Sequence, residues 1–193
     1  MEELAFWGRY GIDSKTLQRF RVKSLSRFDS VSNQGKPYTL RSTREEPMFC
    51  YAMGAFVKVY RPFSTIRFLY AGNKTDDYVF GFEQLPNKGD MLFITGGEKD
   101  VMSLVAHGFH AICFNSETAQ IPENIVESLR LRLRFRHITL LYDTDETSKR
   151  ESKRQAEQLA GYTMCSIPRF PFKAAKAKKT SPTTSNEGME KRI

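Results

Sequence analysis

Four short apolar runs alternate with stretches of helical periodicity between residues 89 and 168, and this alternation constrains the fold more than any other feature of the sequence. The runs cover residues 91–95, 111–114, 137–142 and 162–167. Short apolar runs bounded by glycine or polar residues indicate buried strands, and the stretches between them indicate helices. Because strands that alternate with helices form βαβ units, we expect an α/β domain with a parallel sheet flanked by helices.

The first 88 residues follow a different pattern. β-branched and aromatic residues are dense in short runs at 38–40, 49–53, 57–60, 66–70 and 78–82, and turn residues separate these runs. A short helix is expected after Asp13 or Ser14, either of which can act as its N-cap. Residues 1–88 are therefore predicted to form a small mixed α+β subdomain with an antiparallel sheet, and residues 89–168 the α/β domain.

The charge of the chain is unevenly distributed. Thirty Lys and Arg against 22 Asp and Glu give a net charge of +8 at pH 7, and half of this excess lies in residues 173–193. That segment is poor in large apolar residues and cannot offset the entropy of ordering, so residues 169–193 are expected to be a basic, disordered tail. A basic balance favours nucleic acid or phosphate-bearing substrates, and an inert basic surface is the alternative.

Several classes of protein are excluded by composition. No run of apolar residues reaches the length of a membrane span, and the first residues do not resemble a secretory signal. The three cysteines are far apart and form no C-x-x-C pair, which argues against a zinc site or a disulfide framework. We therefore expect a cytoplasmic protein with no membrane partner.

Acidic residues follow the first and third strands of the predicted parallel sheet. The first strand is followed by Gly96, Gly97, Glu98, Lys99 and Asp100, and the third by Asp143 and Asp145. Ligands of open parallel sheets bind beyond the carboxyl ends of the strands, where these side chains should converge. Carboxylate oxygens with open coordination positions suit Mg²⁺ or Mn²⁺ that also binds substrate phosphates. A solvated loop or a helix cap is the alternative for the two later aspartates.

The segment after the second strand should line the same edge of the sheet. Ser116 and Glu117 lie there, so both are predicted to line the site.

Two motifs of the α/β region resemble those of the Toprim domain. Residues 94–104, with the sequence ITGGEKDVMSL, are similar to its first motif, and residues 142–145, YDTD, to its D-x-D motif. The resemblance covers about residues 91–167. Upstream, residues 11–17, 58–62 and 80–82 resemble the primase-type polymerase domains of bacterial primases and of phage and mitochondrial primase-helicases.

The resemblance implies an activity. A primase of this family performs Mg²⁺-dependent nucleotidyl transfer, making RNA primers from ribonucleoside triphosphates on single-stranded DNA, here in phage or mobile-element replication beside a replicative helicase. It implies metal ligation by Asp143, Asp145 and Glu98, and catalytic roles for Glu98 and Asp100. The residues implied to bind nucleotide or template phosphates are Lys58, Arg61, Arg67 and Lys99. Gly96 and Gly97 would line the site.

The sequence departs from the family pattern in ways that keep alternatives open. Gly96 occupies the position where the family usually has an acid, so Glu98 would have to replace it. One alternative is therefore a catalytically weak or inactive Toprim module that binds nucleic acid or a helicase partner; another is a Toprim nuclease.

The tail departs from the family as well. Residues 178–193 admit codons that, read two bases later, encode an acidic segment of the kind the family leads one to expect. We therefore hypothesise that the tail is a frame-shifted ending.

Overall fold

The computed structural model describes residues 2–32, 34–53, 56–72, 78–116, 118–131, 134–160 and 164–166. Glu117, the predicted tail at 169–193 and parts of the predicted strand at 162–167 lie outside the described residues.

The first part of the chain forms two short helices, an antiparallel sheet and a hairpin. The helices and strands are α1 (Glu2–Gly8), α2 (Ser14–Arg19), β1 (Val22–Leu25), β2 (Arg27–Val31), β3 (Pro37–Arg41), β4 (Met48–Met53), β5 (Phe56–Tyr60) and β6 (Phe68–Gly72). Four strands pair in the order β1-β4-β5-β6, all antiparallel, and β2 pairs with β3 alone. The predicted antiparallel sheet is thereby confirmed.

The second part contains a five-stranded sheet with helices between its strands. It comprises β7 (Val79–Phe80), a 3₁₀ turn (Phe82–Gln84), β8 (Lys88–Thr95), α3 (Glu98–Ala106), β9 (His110–Phe114), α4 (Glu123–Leu131), β10 (Arg134–Leu141), α5 (Glu146–Leu159) and β11 (Met164–Ser166). The order is β11-β10-β8-β9-β7, in which β7 alone runs antiparallel. The predicted parallel strands and mixed α/β architecture are confirmed.

Local sequence explains where the helices begin. The Asp13 carboxylate accepts a hydrogen bond from the Thr16 backbone N–H at 2.8 Å, which caps α2. The Asp145 carboxylate accepts one from the Ser148 N–H at 2.8 Å and caps α5 in the same way. The α3 helix ends before Gly108, which has a positive φ of 87° that glycine adopts without strain.

An aromatic core joins the two parts of the chain. Trp7 and Phe49 pack edge to face with centroids 4.8 Å apart, and both belong to a buried cluster that also contains Phe80 and Met102. The predicted boundary between residues 88 and 89 falls at the start of β8, while β7 already pairs with β9. This shared core holds the antiparallel sheet against the start of α3. In the part of the chain that the structure describes, no helix is long and apolar enough to cross a membrane.

Candidate functional site

The carboxyl ends of the central parallel strands lie level with one another. Thr95 of β8 pairs with Leu141 of β10 on one side and with Cys113 of β9 on the other. The segments that leave β8 and β10 therefore enter the same space, as predicted from the rule for open parallel sheets.

A cleft of about 420 Å³ lies at this edge, and its walls come from both parts of the chain. The parallel sheet contributes Gly96, Gly97, Glu98, Lys99, Asp100, Leu141 and Asp143. The antiparallel sheet and the loop before β6 contribute Tyr51, Tyr60, Arg67 and Phe68. Acidic groups on one wall thus share the cleft with a guanidinium group from the other, an arrangement suited to a metal-bound phosphate ligand.

Three of the predicted acids, Glu98, Asp100 and Asp143, line this cleft. Desolvation by burial raises the pKa of Asp100 above its usual value, and the charges of Asp143 and Glu98 act in the same direction against that of Lys99. A carboxyl group whose pKa is raised by desolvation and by neighbouring acids, as that of Asp100 is, is typical of functional clefts. Asp100 and Asp143 nevertheless both keep exposed surface, so the desolvation of Asp100 is only partial and a ligand can reach both residues.

The two exposed carboxylates of the cleft would suit a magnesium or manganese ion only if a substrate completed its coordination. Among the residues that the structure describes, no group of three or more acidic, histidine or cysteine side chains could hold a metal ion. Mg²⁺ often uses only one or two protein carboxylates and completes its coordination with water and substrate phosphates. Asp100 and Asp143 supply that number of carboxylates, and their hard oxygen atoms match the ion.

The Glu98 carboxylate is buried and already accepts hydrogen bonds from two side chains. Its Oε1 accepts hydrogen bonds from Lys58 Nζ at 2.5 Å and from the Tyr78 hydroxyl at 2.7 Å. The Lys58 ammonium group also lies 4.4 Å from the centroid of the Phe68 ring. Burial, and then the charge of Glu98, raise the pKa of Tyr78. The carboxylate predicted to replace the missing acid is thus held in an ion pair between β5 and α3.

Lys58 is placed differently from the prediction. The resemblance implied that Lys58 contacts nucleotide or template phosphates, but its side chain is only 4% exposed. The reason is that β5 turns this residue toward the start of α3, where Glu98 is the nearest acid. In this conformation Lys58 forms an ion pair with Glu98 and is not positioned to bind a phosphate.

The remaining predicted cations divide between the cleft and its surroundings. Arg67 and Lys99 line the cleft, and Lys99 Nζ lies 3.9 Å from the centroid of the Tyr10 ring. Arg61 Nη2 is 3.5 Å from a carboxylate oxygen of Glu46 and is not among the lining residues.

Asp145 and Ser116 are not among the residues that line the cleft. Asp145 is exposed at the start of α5, and the backbone N–H of Ser148 lowers its pKa by donating to the carboxylate. The helix cap, which the sequence left open as an alternative for this residue, is what the structure shows. Ser116 is exposed, and its hydroxyl lies 3.0 Å from that of Thr118.

Four aromatic residues of the site were missed by the sequence analysis. Tyr51, Tyr60 and Phe68 line the cleft, and Tyr78 binds Glu98. These residues could have been found only from the pairing register of the strands. Tyr51 lies opposite Lys58 across β4 and β5, and Tyr60 lies opposite Phe68 across β5 and β6. Cross-strand neighbours of this kind share a face of the sheet.

Comparison with known proteins shows the fold. No family model and no curated protein matches the chain. Among solved structures, the primase fragment of the bacteriophage T7 primase-helicase matches with a TM-score of 0.56 at 19% sequence identity. The chain has a primase-like fold. The match covers 85% of this chain, and the chain spans 64% of the length of that fragment.

A second solved structure gives the same result. It holds the lagging-strand DNA polymerase of bacteriophage T7 interacting with primase domains bound to an RNA/DNA hybrid and dTTP. The TM-score is 0.55 at 18% identity, and the match covers 87% of this chain and 80% of the other. At this level of identity the likeness establishes the fold alone.

Replacing Asp100 with asparagine should raise the thermal stability at about pH 7. Folding raises the pKa of this carboxyl, so the ionised group destabilises the folded state at neutral pH. The destabilisation disappears at low pH, where the group is protonated in both the folded and the unfolded state. The melting temperatures of Asp100→Asn and wild type should therefore converge as the pH falls to about 3.

Asp145→Asn is the matched control for this prediction. Its folded pKa is lowered, so ionised Asp145 favours folding above the unfolded pKa, and this contribution is lost as the pH falls through the folded pKa. Asparagine keeps the cap, and the variant should melt at or slightly below the wild-type temperature at about pH 7. An Asp100→Asn variant that melts below wild type at neutral pH would contradict the conclusion that folding raises the pKa of Asp100.

Proposed function

We propose that the chain is a Toprim-type primase domain, which synthesises RNA primers on single-stranded DNA during phage or mobile-element replication and requires Mg²⁺ or Mn²⁺. The observation that carries the proposal is the cleft that Asp100 and Asp143 line together with Arg67, from the loop before β6. Support also comes from the primase-like fold and from the Toprim motifs of the sequence.

The residues of the cleft have complementary tasks in this proposal. Asp100 and Asp143 hold the metal ion, while Arg67 and Lys99 bind the phosphates of a ribonucleoside triphosphate by charge. A metal ion held there would supply Lewis-acid chemistry, lowering the pKa of the attacking 3′ hydroxyl and stabilising charge on the pyrophosphate leaving group. Tyr51, Tyr60 and Phe68 form an aromatic wall that limits the access of water to the reacting groups.

The Lys58–Glu98 pair positions the cleft in this proposal. It joins β5 to the first turn of α3, which carries Lys99 and Asp100. Since both charged groups are buried and satisfied, they hold the two walls at a fixed separation rather than contacting the substrate.

A non-catalytic nucleic-acid-binding module is the second candidate, and two observations favour it. Gly96 has no side chain at the position where the Toprim motif has an acid. Glu98, the substitute that the sequence offers, already binds Lys58 and Tyr78. If the missing acid is essential, the cleft binds nucleotide and template without turnover.

Primer synthesis on single-stranded DNA separates the two candidates. Wild type, Gly96→Glu and the control Gly8→Glu would be incubated with labelled ribonucleotides and Mg²⁺ or Mn²⁺. A Cβ added at Gly8 would meet no atom within 4 Å, so this substitution adds the same charge in open space away from the cleft. Primers made by wild type support the primase. A silent wild type with an active Gly96→Glu, and a silent Gly8→Glu, would instead identify a binding module derived from a polymerase.

A further inference from the structure

The loop between β5 and β6 presents apolar side chains to solvent beside the cleft. The Arg61 backbone N–H donates to the Arg67 carbonyl at 2.7 Å, which closes the loop at its base. Phe63 is 56% exposed and Ile66 is 61% exposed, although both are large apolar residues. Burying such side chains is favourable, so two of them on one short loop beside the cleft form a candidate contact surface for a ligand.

The Phe63 ring is held in place without being covered. It packs edge to face against Phe6 of α1 with centroids 5.7 Å apart. Phe6 is itself part of the buried aromatic core. Since the contact uses the edge of one ring, more than half of the Phe63 side chain stays open to solvent. A rigidly held aromatic face is the element on which nucleobases stack in proteins that bind single strands.

Positive charge flanks this aromatic face. Arg67, at the end of the loop, is exposed and lines the cleft, and no acid within ion-pair distance is found for it among the described residues. Arg61, at the start of the loop, makes one long contact of 3.5 Å with Glu46. Phe63 lies four residues from Arg67, so their Cα atoms are within about 14 Å of each other.

We propose that Phe63 is a stacking platform for a base of the single-stranded DNA template, with Ile66 extending the apolar surface and Arg67 binding the adjacent phosphate. The inference rests on the proposed function and deepens it, because it assigns a template path from the cleft over the β5–β6 loop. An exposed aromatic ring, with an exposed arginine at the end of the same loop, matches a ligand that alternates flat bases with phosphates. A duplex does not fit, since its bases are already stacked on one another.

The test uses two labelled oligonucleotides and one pair of matched variants. One oligonucleotide is an oligothymidylate, and the other has the same length and charge but abasic sites in its centre. Phe63→Leu keeps an apolar side chain but removes the ring. Phe109→Leu is the control, because Phe109 is 48% exposed and packs edge to face on Phe93 at 5.6 Å. Phe109 precedes β9, at the edge of the sheet away from the cleft.

Fluorescence anisotropy gives the affinities, and melting curves verify that both variants fold. Wild type should bind the oligothymidylate about five-fold or more tightly than the abasic strand. Phe63→Leu should lose this preference while binding the abasic strand as wild type does, and Phe109→Leu should keep it. A Phe63→Leu variant that retains the preference, in a chain whose wild type makes primers, overturns the stacking platform and leaves the primase intact. A wild type that binds neither strand overturns both.

Discussion

Replacing Lys58 with methionine should destabilise the fold by about 3–5 kcal/mol, because it leaves the Glu98 carboxylate buried without a cation. Lys58 and Glu98 are only 4% and 2% exposed at their side chains, so water cannot take over the lost partner. Methionine preserves most of the apolar stem and isolates the loss of charge. The free energy of unfolding in urea, fitted with a common slope, measures the effect.

Two further variants test the origin of this effect. Adding Glu98→Gln to Lys58→Met removes both charges while the Tyr78 hydroxyl keeps an acceptor, so most of the lost stability should return. Lys149→Met breaks the exposed pair with Glu146 and should cost less than about 1 kcal/mol. A double variant as unstable as Lys58→Met alone would show that the buried charge is not the cause.

Replacing Asp143 with asparagine should lower the rate of primer synthesis by about 100-fold or more. The substitution keeps the shape of the side chain and removes the negative charge that would hold the proposed metal ion. Such an ion can supply several kcal/mol of transition-state stabilisation. Asp143 is exposed at the mouth of the cleft, so the fold should not change. Initial rates at saturating nucleotide, with a melting curve of each variant, measure the loss.

Asp90→Asn is the control for this prediction. Asp90 is an exposed aspartate on β8, 3.6 Å from Arg136, and it does not line the cleft. The Asp90→Asn variant should therefore synthesise primers at the wild-type rate. If Asp143→Asn also retains that rate, the assignment of the metal site to this cleft is wrong.

The parallel part of the fold follows from the sequence because its pattern is local. Each strand contains a short apolar run, and the connecting helices begin just after Gly97, Pro122 and Asp145, residue types that mark helix starts in a sequence. Strand ends are less well determined. The β8 and β10 strands begin at Lys88 and Arg134, before the apolar runs, because the ladder between them extends through polar residues that no local pattern marks.

The acidic side of the cleft was also predictable, since topology brings strand ends together. Asp100 and Asp143 belong to segments that follow neighbouring parallel strands. The environment of Lys58 was not predictable, because its partner Glu98 lies 40 residues away in another sheet layer. A lysine on a strand with aromatic neighbours is normally solvated, and only tertiary packing reveals that this one is buried. The role of Asp145 was not predictable either, because an aspartate between a strand and a helix can be a metal ligand or a helix cap.

The central claim is that a metal ion and a ribonucleoside triphosphate bind together in the cleft between the two sheets. Electron paramagnetic resonance of Mn²⁺, titrated with and without a ribonucleoside triphosphate, tests this without requiring turnover or a partner protein. We predict that the nucleotide increases Mn²⁺ binding to wild type and that Asp143→Asn abolishes the increase, while Asp90→Asn leaves it unchanged. Equal binding by wild type and Asp143→Asn, or no nucleotide-dependent binding by wild type, would contradict the account.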